Sequence, residues 1–473
     1  MALQRYSTRD EFGNLLANDD ARVWWSAPTA TSALSARIML PGSKSLTNRE
    51  LVLSALADGP SLLRRPLHSR DSQLMIDALR ALGVGIEEVP GDGAFGPDLR
   101  ITPPEPTGGE LLGSVSIDTG LAGTVMRFLP PVAALALGPT AIDGDPSARR
   151  RPMRTTITAL RDLGIEVDDD GSGTMPFTIH GTGAVEGGEL AIDASASSQF
   201  VSGLLLAAPR FRRGLTLRHT GERLPSLPHI EMTIAALAAR GVTVSSPEPG
   251  VWVVPAGPIA AAEVTIEPDL SNAAPFLAAA LVAGGTVTIE GWPDATTQVG
   301  AQLESLLPRL GAAVSRAGGA LTVDGGPGIR GGAALPGVDL DLGEAGELAP
   351  TFAALAALAS GPSRLRGIGH LRGHETDRLA ALVTDITALG GRARELDDGL
   401  AFEPAELHGG PWLAFEDHRM ATSGALIGLL VEGVEIDDIG STAKTLPEFP
   451  ELWEQMLHGR PAASPAPIDW LGL

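Results

Sequence analysis

Cysteine is absent from this 473-residue chain, which removes disulfides, thiolate metal sites and cysteine nucleophiles together. Positive charge is scarce: 35 Lys and Arg stand against 57 Asp and Glu, a net charge of −22. That balance argues against nucleic acid as a partner, because duplex binding needs a basic face. Aromatic residues make up 4% of the chain, with a single tyrosine, Tyr6, and no apolar run approaches the ~20 residues that span a bilayer. The first residues do not pair a basic segment with an apolar one, so no secretory signal and no membrane partner are expected, and a cytoplasmic location is. What is present is globular: 44% of residues are hydrophobic, and the length suits roughly two to four domains by the usual size prior. In so acidic a chain, a small anionic ligand needs a deliberately built positive pocket.

Lysine is rarer still. Lys44 and Lys444 are the only two, so nearly all the positive charge is guanidinium. A compact ammonium that can transfer a proton differs from the fixed guanidinium fork, and these two positions are marked by it. Lys44 lies in Pro41-Gly42-Ser43-Lys44-Ser45-Leu46-Thr47-Asn48-Arg49, which reads as an anion site at a helix N-terminus. Pro and Gly stop what precedes, Ser45 or Thr47 can cap, and Leu51, Val52, Leu53, Ala55 and Leu56 supply an apolar helix side. The free N–H groups and the positive dipole end would face a bound anion. A capped surface helix with a solvated cation is the plainer reading of this segment alone.

The same succession recurs six times: a small or polar cluster, an Ala/Leu-rich helical run, a glycine and a β-like segment. The pivots are Gly59, Gly138, Gly214, Gly285, Gly361 and Gly433, a period of roughly 75 residues. A second helix between pivots ends in a shared pattern, as in Leu79-Arg80-Ala81-Leu82-Gly83-Val84 and Leu160-Arg161-Asp162-Leu163-Gly164-Ile165, with further copies at Leu237–Val242, Leu307–Ala312 and Ile386–Gly391. Glycine there is expected to stop a helix in the left-handed conformation. The period predicts an α/β chain of two domains with three units each, covering residues 41–265 and 266–473. The seam lies near Ile266 to Leu270, with a further crossing through 37–40. Residues 1–36 are expected to form an N-terminal extension, and Pro461–Pro467 a loose terminus. Six cap-like clusters precede the pivot helices, and six such N-termini gathered by pseudo-symmetry would draw in anions.

Seven motifs then occur in one order: Pro41-Gly42-Ser43-Lys44-Ser45, Leu121-Ala122-Gly123-Thr124-Val125-Met126-Arg127, Arg150-Arg151-Pro152-Met153, Ser197-Ser198-Gln199-Phe200, Glu375-Thr376-Asp377-Arg378-Leu379, Asp417-His418-Arg419-Met420 and Ala443-Lys444-Thr445-Leu446-Pro447. In that order and spacing, from about residue 37 to 457, the chain resembles the 5-enolpyruvylshikimate-3-phosphate synthase family of enolpyruvyl transferases. The resemblance implies a two-domain inside-out α/β barrel built from six β-α-β-α-β-β units. It also implies transfer of the enolpyruvyl group of phosphoenolpyruvate to the 5-hydroxyl of shikimate 3-phosphate, with phosphate released, no cofactor and no metal. A monomer is expected.

By position, Lys44, Ser45, Arg49, Ser197, Ser198, Gln199, Ser226, Glu347 and His374 resemble the shikimate 3-phosphate site. Lys44, Gly123, Arg151, Gln199, Arg378, Arg419 and Lys444 resemble the phosphoenolpyruvate site, where guanidinium forks suit a carboxylate and a phosphate. Taken singly, Arg378 could merely pair with Asp377 or Glu375 in the first turn of a helix, and Asp417 could be only a cap. For the chemistry the candidates are Glu347, Glu375 and Lys44: Glu347 to take the hydroxyl proton, Glu375 and Lys44 to share proton delivery and removal at the transferred group. Leu121, Glu347, His370 and His374 depart from the commonest family pattern of Asn, Asp, Asn and Lys, and Phe128 replaces a frequent Pro. The retained Gly123 favours sensitivity to the family's inhibitor glyphosate. Two rival readings fit less well. The UDP-N-acetylglucosamine enolpyruvyl transferases share the fold but typically use a cysteine that this chain lacks. A phosphometabolite-binding protein without chemistry would not call for both Glu347 and Glu375.

Overall fold

Ala- and Leu-rich helices at Lys44–Ala55, Gly123–Ala133, Gln199–Ala207, Ala273–Ala283, Ala349–Ala357 and His418–Gly428 each give way within a few residues to a strand. The strands are Ser61–Arg64, Leu137–Asp143, Leu215–His219, Gly285–Glu290, Ser363–Arg366 and Val434–Ile436. The structure is a computed structural model describing residues 24–91, 93–104 and 111–459, so Tyr6 and the Pro461–Pro467 segment lie outside the described residues. Three of these helices, Gly123–Ala133, Ala273–Ala283 and Ala349–Ala357, are buried along their whole length, as their nearly uninterrupted apolar sequence requires.

Between them run helices with one apolar side. Arg70–Ala81 buries Met75, Ile76, Ala78 and Leu79, and Arg154–Asp162 buries Ile157, Ala159 and Leu160. The glycines that close the second helices, Gly83, Gly164, Gly241, Gly311 and Gly390, have φ between 81° and 94°, the left-handed turn that a Cβ disfavours. One second helix is cut short: Leu303–Leu306 passes into a 3-10 turn at Leu307–Leu310 because Pro308 lacks the N–H that would continue it.

Every sheet is mixed in the same sense. The strand after the buried helix pairs in parallel on one side and antiparallel on the other. Ser61–Arg64 lies parallel to Glu263–Thr265 and antiparallel to Asp98–Thr102, and Leu137–Asp143 lies parallel to Val115–Asp118 and antiparallel to Phe177–Thr182. Gly285–Glu290 takes Leu34–Ile38 in parallel and Ala320–Asp324 antiparallel. Val434–Ile436 takes Gly410–Trp412 in parallel and Trp25–Ser26 antiparallel. Residues 1–23 of the expected N-terminal extension lie outside the described residues, whereas Trp25–Ser26 and Leu34–Ile38 are sheet strands.

The chain divides into two units. One comprises Leu40–Leu270 with Pro293–Ala301; the other comprises Ser271–Trp292, the described residues from Gln302 onward and those before Leu40. The first has a core of Leu51, Phe128, Leu129, Val201, Leu205 and their neighbours. Its helices approach closely enough that a Cβ on Gly203 would lie 2.2 Å from the Arg127 carbonyl oxygen. The second unit buries Phe276, Phe449 and Trp453 against one another, with ring centroids 5.1–5.6 Å apart.

Candidate functional site

In the first unit the Lys44–Ala55 helix starts after Ser43, whose side chain makes no capping bond, and its first turn holds no acidic residue. Neither Ser45 nor Thr47 caps it. The Lys44 N–H donates instead to Asp269 Oδ2 at 3.3 Å, and the Thr47 hydroxyl accepts from the Leu67 N–H at 3.0 Å. Lys44 Nζ pairs with Asp71 Oδ2 at 3.2 Å, with side chains 16% and 3% exposed, so the ammonium is mostly withdrawn from solvent yet still reachable. Arg49 is fully buried. It donates to Ser45 O at 2.8 Å, Thr233 Oγ1 at 2.8 Å and His229 O at 2.9 Å, with Phe128 under its guanidinium at 5.1 Å. It therefore fixes the turn that presents Ser45.

Gly123 opens the next helix, again with no side-chain cap and no acid in its first turn. A Cβ at Gly123 would lie 3.1 Å from Gln199 Oε1, 3.4 Å from an Arg127 nitrogen and 3.4 Å from Arg151 Nη2, so the structure brings Gly123, Gln199 and Arg151 together. Arg127, buried beside them, belongs to a motif read from the sequence but was not among the predicted ligands. Ser197 Oγ accepts from the Gln199 N–H at 3.2 Å, which places Ser197, Ser198 and Gln199 together at one helix start. Ser226, at the start of Leu227–Ala239, has φ of 55°, a left-handed backbone rare for serine.

The second unit gathers the acids. Glu347 sits on the Gly346–Leu348 3-10 turn, and its Oε2 accepts from Ser271 Oγ at 2.9 Å and Arg419 Nη2 at 3.1 Å. Arg378, first residue of its helix, binds Asp417 through two nitrogens at 2.7 and 3.2 Å and Glu375 Oε2 at 3.1 Å. Burial alone would lower its pKa, but Asp417, Glu375 and Glu347 outweigh burial and raise it, so this guanidinium is permanently charged. Arg378 Nη1 also lies 3.2 Å from His374 Nδ1, a nitrogen that accepts from the guanidinium in the Nε2–H tautomer of the ring. Asp417 does two jobs, since Oδ1 also accepts from the Arg419 N–H at 2.9 Å at the start of the His418–Gly428 helix. Lys444 Nζ donates to the Glu416 carbonyl at 2.9 Å and is 4% exposed. The unit thus brings Glu347, Glu375, His374, Arg378, Arg419 and Lys444 into one linked set, and adds Asp417, Ser271 and Glu416, which sequence reasoning did not rank as ligands.

Behind this set, Asp385 is 1% exposed, and burial lifts its carboxyl to about 8, with nearby Asp437 adding to the rise and the Leu413 N–H opposing it. The sign follows directly. The unfolded chain releases this proton near pH 4 and the folded chain keeps it to about 8, so stability falls as pH rises across that window. Asp385→Asn has no proton to lose. Urea unfolding at pH 5 and pH 8 is expected to show the variant gaining on the parent by up to about 1.4 kcal/mol per pH unit. Parallel pH profiles for the two proteins would refute this.

The sequence profile of the family described as EPSP synthase (3-phosphoshikimate 1-carboxyvinyltransferase) matches residues 28–453. The chain belongs to the EPSP synthase family. It is 56% identical over 443 residues to the 3-phosphoshikimate 1-carboxyvinyltransferase of Kocuria rhizophila, covering 93% of this chain and 97% of that protein. Its fold is similar to that of EPSP synthase from Acinetobacter baumannii, with a TM-score of 0.72, 24% identity, and 92% and 97% of the two chains covered. It is also similar to the enolpyruvyl transferase NikO from Streptomyces tendae, with a TM-score of 0.70, 17% identity, and 90% and 96% covered. The mixed α/β fold of this chain is thus similar to both structures. Among the described residues no helix is long and apolar enough to cross a membrane.

Proposed function

We propose that this chain transfers the enolpyruvyl group of phosphoenolpyruvate to the 5-hydroxyl of shikimate 3-phosphate and releases phosphate. The observation that carries the reading is the linked set of two acids and three cations in the second unit, Glu347, Glu375, Arg378, Arg419 and Lys444, in a chain of this family. Lys44, Ser45, Arg49, Ser197, Ser198, Gln199, Ser226, Glu347 and His374 hold shikimate 3-phosphate in this reading, Arg49 through the Ser45 backbone it anchors. Lys44, Gly123, Arg151, Gln199, Arg378, Arg419 and Lys444 hold phosphoenolpyruvate. No acidic residue stands in the first turn of the helices that begin at Lys44, Gly123 and Gln199, which supports anion binding at their positive dipole ends.

The reaction adds and then eliminates. Glu347 takes the 5-hydroxyl proton as the oxygen bonds to the enol carbon of phosphoenolpyruvate, and the methylene carbon takes a proton to become methyl. Loss of phosphate and of one methyl proton then restores the double bond. Glu375 and Lys44 supply and recover that proton, and the guanidinium groups stabilise the charge in between. The architecture that goes with this function is six β-α-β-α-β-β units, three per domain, of the inside-out barrel kind, in a monomer whose third unit ends near Ile266 to Leu270. The six mixed sheets support it.

Phosphate release from phosphoenolpyruvate, with shikimate 3-phosphate or with a UDP-sugar as acceptor, tests the function. Release with shikimate 3-phosphate alone is expected; release only with the UDP-sugar, or with neither, overturns it. Gly123→Ala is expected to raise KM for phosphoenolpyruvate about tenfold and to weaken inhibition by glyphosate. The added Cβ crowds Gln199 Oε1 at 3.1 Å, and overpacking of that kind costs about 1–3 kcal/mol. Steady-state kinetics check it, and an unchanged KM with equal inhibition sinks it.

A further inference from the structure

The turn Leu413–Asp417 carries two groups on which the proposed phosphoenolpyruvate cations depend. Glu416 offers its carbonyl to Lys444 Nζ at 2.9 Å, and the Asp417 carboxylate grips Arg378 at 2.7 and 3.2 Å. To present both, Phe415 and Glu416 adopt φ of 53° and 57°. Two consecutive non-glycine residues in the left-handed region persist only where the surroundings hold them.

Two aspartates do the holding. Asp437 Oδ1 accepts from the Ala414 N–H at 2.7 Å, while the Asp437 N–H donates to the Trp412 carbonyl at 3.1 Å. Asp385 Oδ1 accepts from the Leu413 N–H at 3.3 Å. Each lies in or just before an element that also carries one of the cations. Asp385 lies in the last turn of the Arg378–Ala388 helix, which begins with Arg378. Asp437 precedes Asp438, whose carboxylate caps the Ile439–Lys444 turn at the Ser441 N–H at 3.1 Å, and that turn ends in Lys444. Burying a carboxyl group is costly unless it is hydrogen-bonded, so Asp385, 1% exposed, is an expensive choice for packing alone. Its use here is as an acceptor for the turn.

We propose that Asp385 and Asp437 are positioning residues for phosphoenolpyruvate, clamping the Leu413–Asp417 turn so that Arg378 and Lys444 keep a fixed spacing. The inference rests on the roles proposed above for those two cations. Asp437→Ala is expected to raise KM for phosphoenolpyruvate about tenfold, the worth of one hydrogen bond to a charged acceptor, with kcat and KM for shikimate 3-phosphate changed less than threefold. Asp437→Asn, which keeps an acceptor oxygen, is expected to restore KM. Asp385→Leu fills a similar space without an acceptor and is expected to show the same selective rise, which keeps the test open should Asp437→Ala not fold. Equal changes in both KM values, or none, would overturn the clamp. Thermal shift with phosphoenolpyruvate separates the two readings. A parent protein that turns nothing over, yet is stabilised by phosphoenolpyruvate in a way Asp437→Ala loses, would retain the clamp and overturn the function. An active parent with unmoved variants would overturn the clamp alone.

Discussion

Glu347→Gln is expected to lower kcat at least ~10²-fold, the usual worth of a positioned general base, while both substrates still bind. The prediction rests on geometry that the substitution preserves. Gln has the shape of Glu, and its amide oxygen can accept from Ser271 Oγ as the Glu347 carboxylate does at 2.9 Å. It cannot take up a proton. Arg419, at 3.1 Å from Oε2, favours the ionised form that a base requires and anchors the carboxylate on its 3-10 turn. Glu347→Asp isolates reach from chemistry, because the carboxylate remains but sits one methylene shorter; its turnover is expected between the parent and Glu347→Gln. Single-turnover measurement of phosphate release, with substrate binding followed separately by thermal shift, distinguishes a lost base from a lost ligand. Parental turnover in Glu347→Gln would remove Glu347 from the chemistry.

The periodic part of the fold was legible because it is written in local chemistry. Ala/Leu runs make buried helices, and glycines such as Gly83 and Gly164 end helices at φ of 91° and 84°. The interruption at Pro308 was equally local, and a reading that stopped at the shared Leu-x-x-Leu-Gly pattern passed over it. What sequence could not show were partners far apart along the chain. The Lys44–Ala55 helix has no side-chain cap from Ser45 or Thr47 because its first N–H finds Asp269, brought in by the fold from more than two hundred residues away. Asp71 reads as a helix first-turn acid after the Ser69 capping box, and nothing in its neighbourhood announces that it meets Lys44. Arg49 looks like a surface cation beside an anion site, yet its donors are spent inside the unit. At Arg378 and Asp417 the structure displays the pairing and capping of the plain readings. Asp377 caps its own helix at the Leu379 and Ala380 N–H groups, Glu375 pairs with Arg378, and Asp417 is both a cap and the principal partner of Arg378.

Asp417→Asn separates what that last pair does for folding from what it does for function. Arg378 and Asp417 are 1% and 0% exposed, so neither charge is solvated in the folded chain. Asn keeps an oxygen to cap the His418–Gly428 helix, which confines the loss to charge. A buried guanidinium deprived of its main counter-charge is strongly destabilising. Glu375 at 3.1 Å still compensates in part, so the expected cost is about 3 kcal/mol, the lower end for breaking a buried pair. Urea unfolding at neutral pH measures it. Adding Arg378→Met to Asp417→Asn removes the stranded charge and fills much of its space, and replacing a buried pair by apolar groups is often neutral. The double variant is therefore expected to regain most of the lost stability. Turnover is not expected to return with it, because a thioether cannot hold a carboxylate or phosphate and the turn that serves Lys444 has lost its anchor. Recovery of stability and activity together would make the pair a structural element only; recovery of stability alone is the result that gives the Arg378–Asp417 pair a part in function.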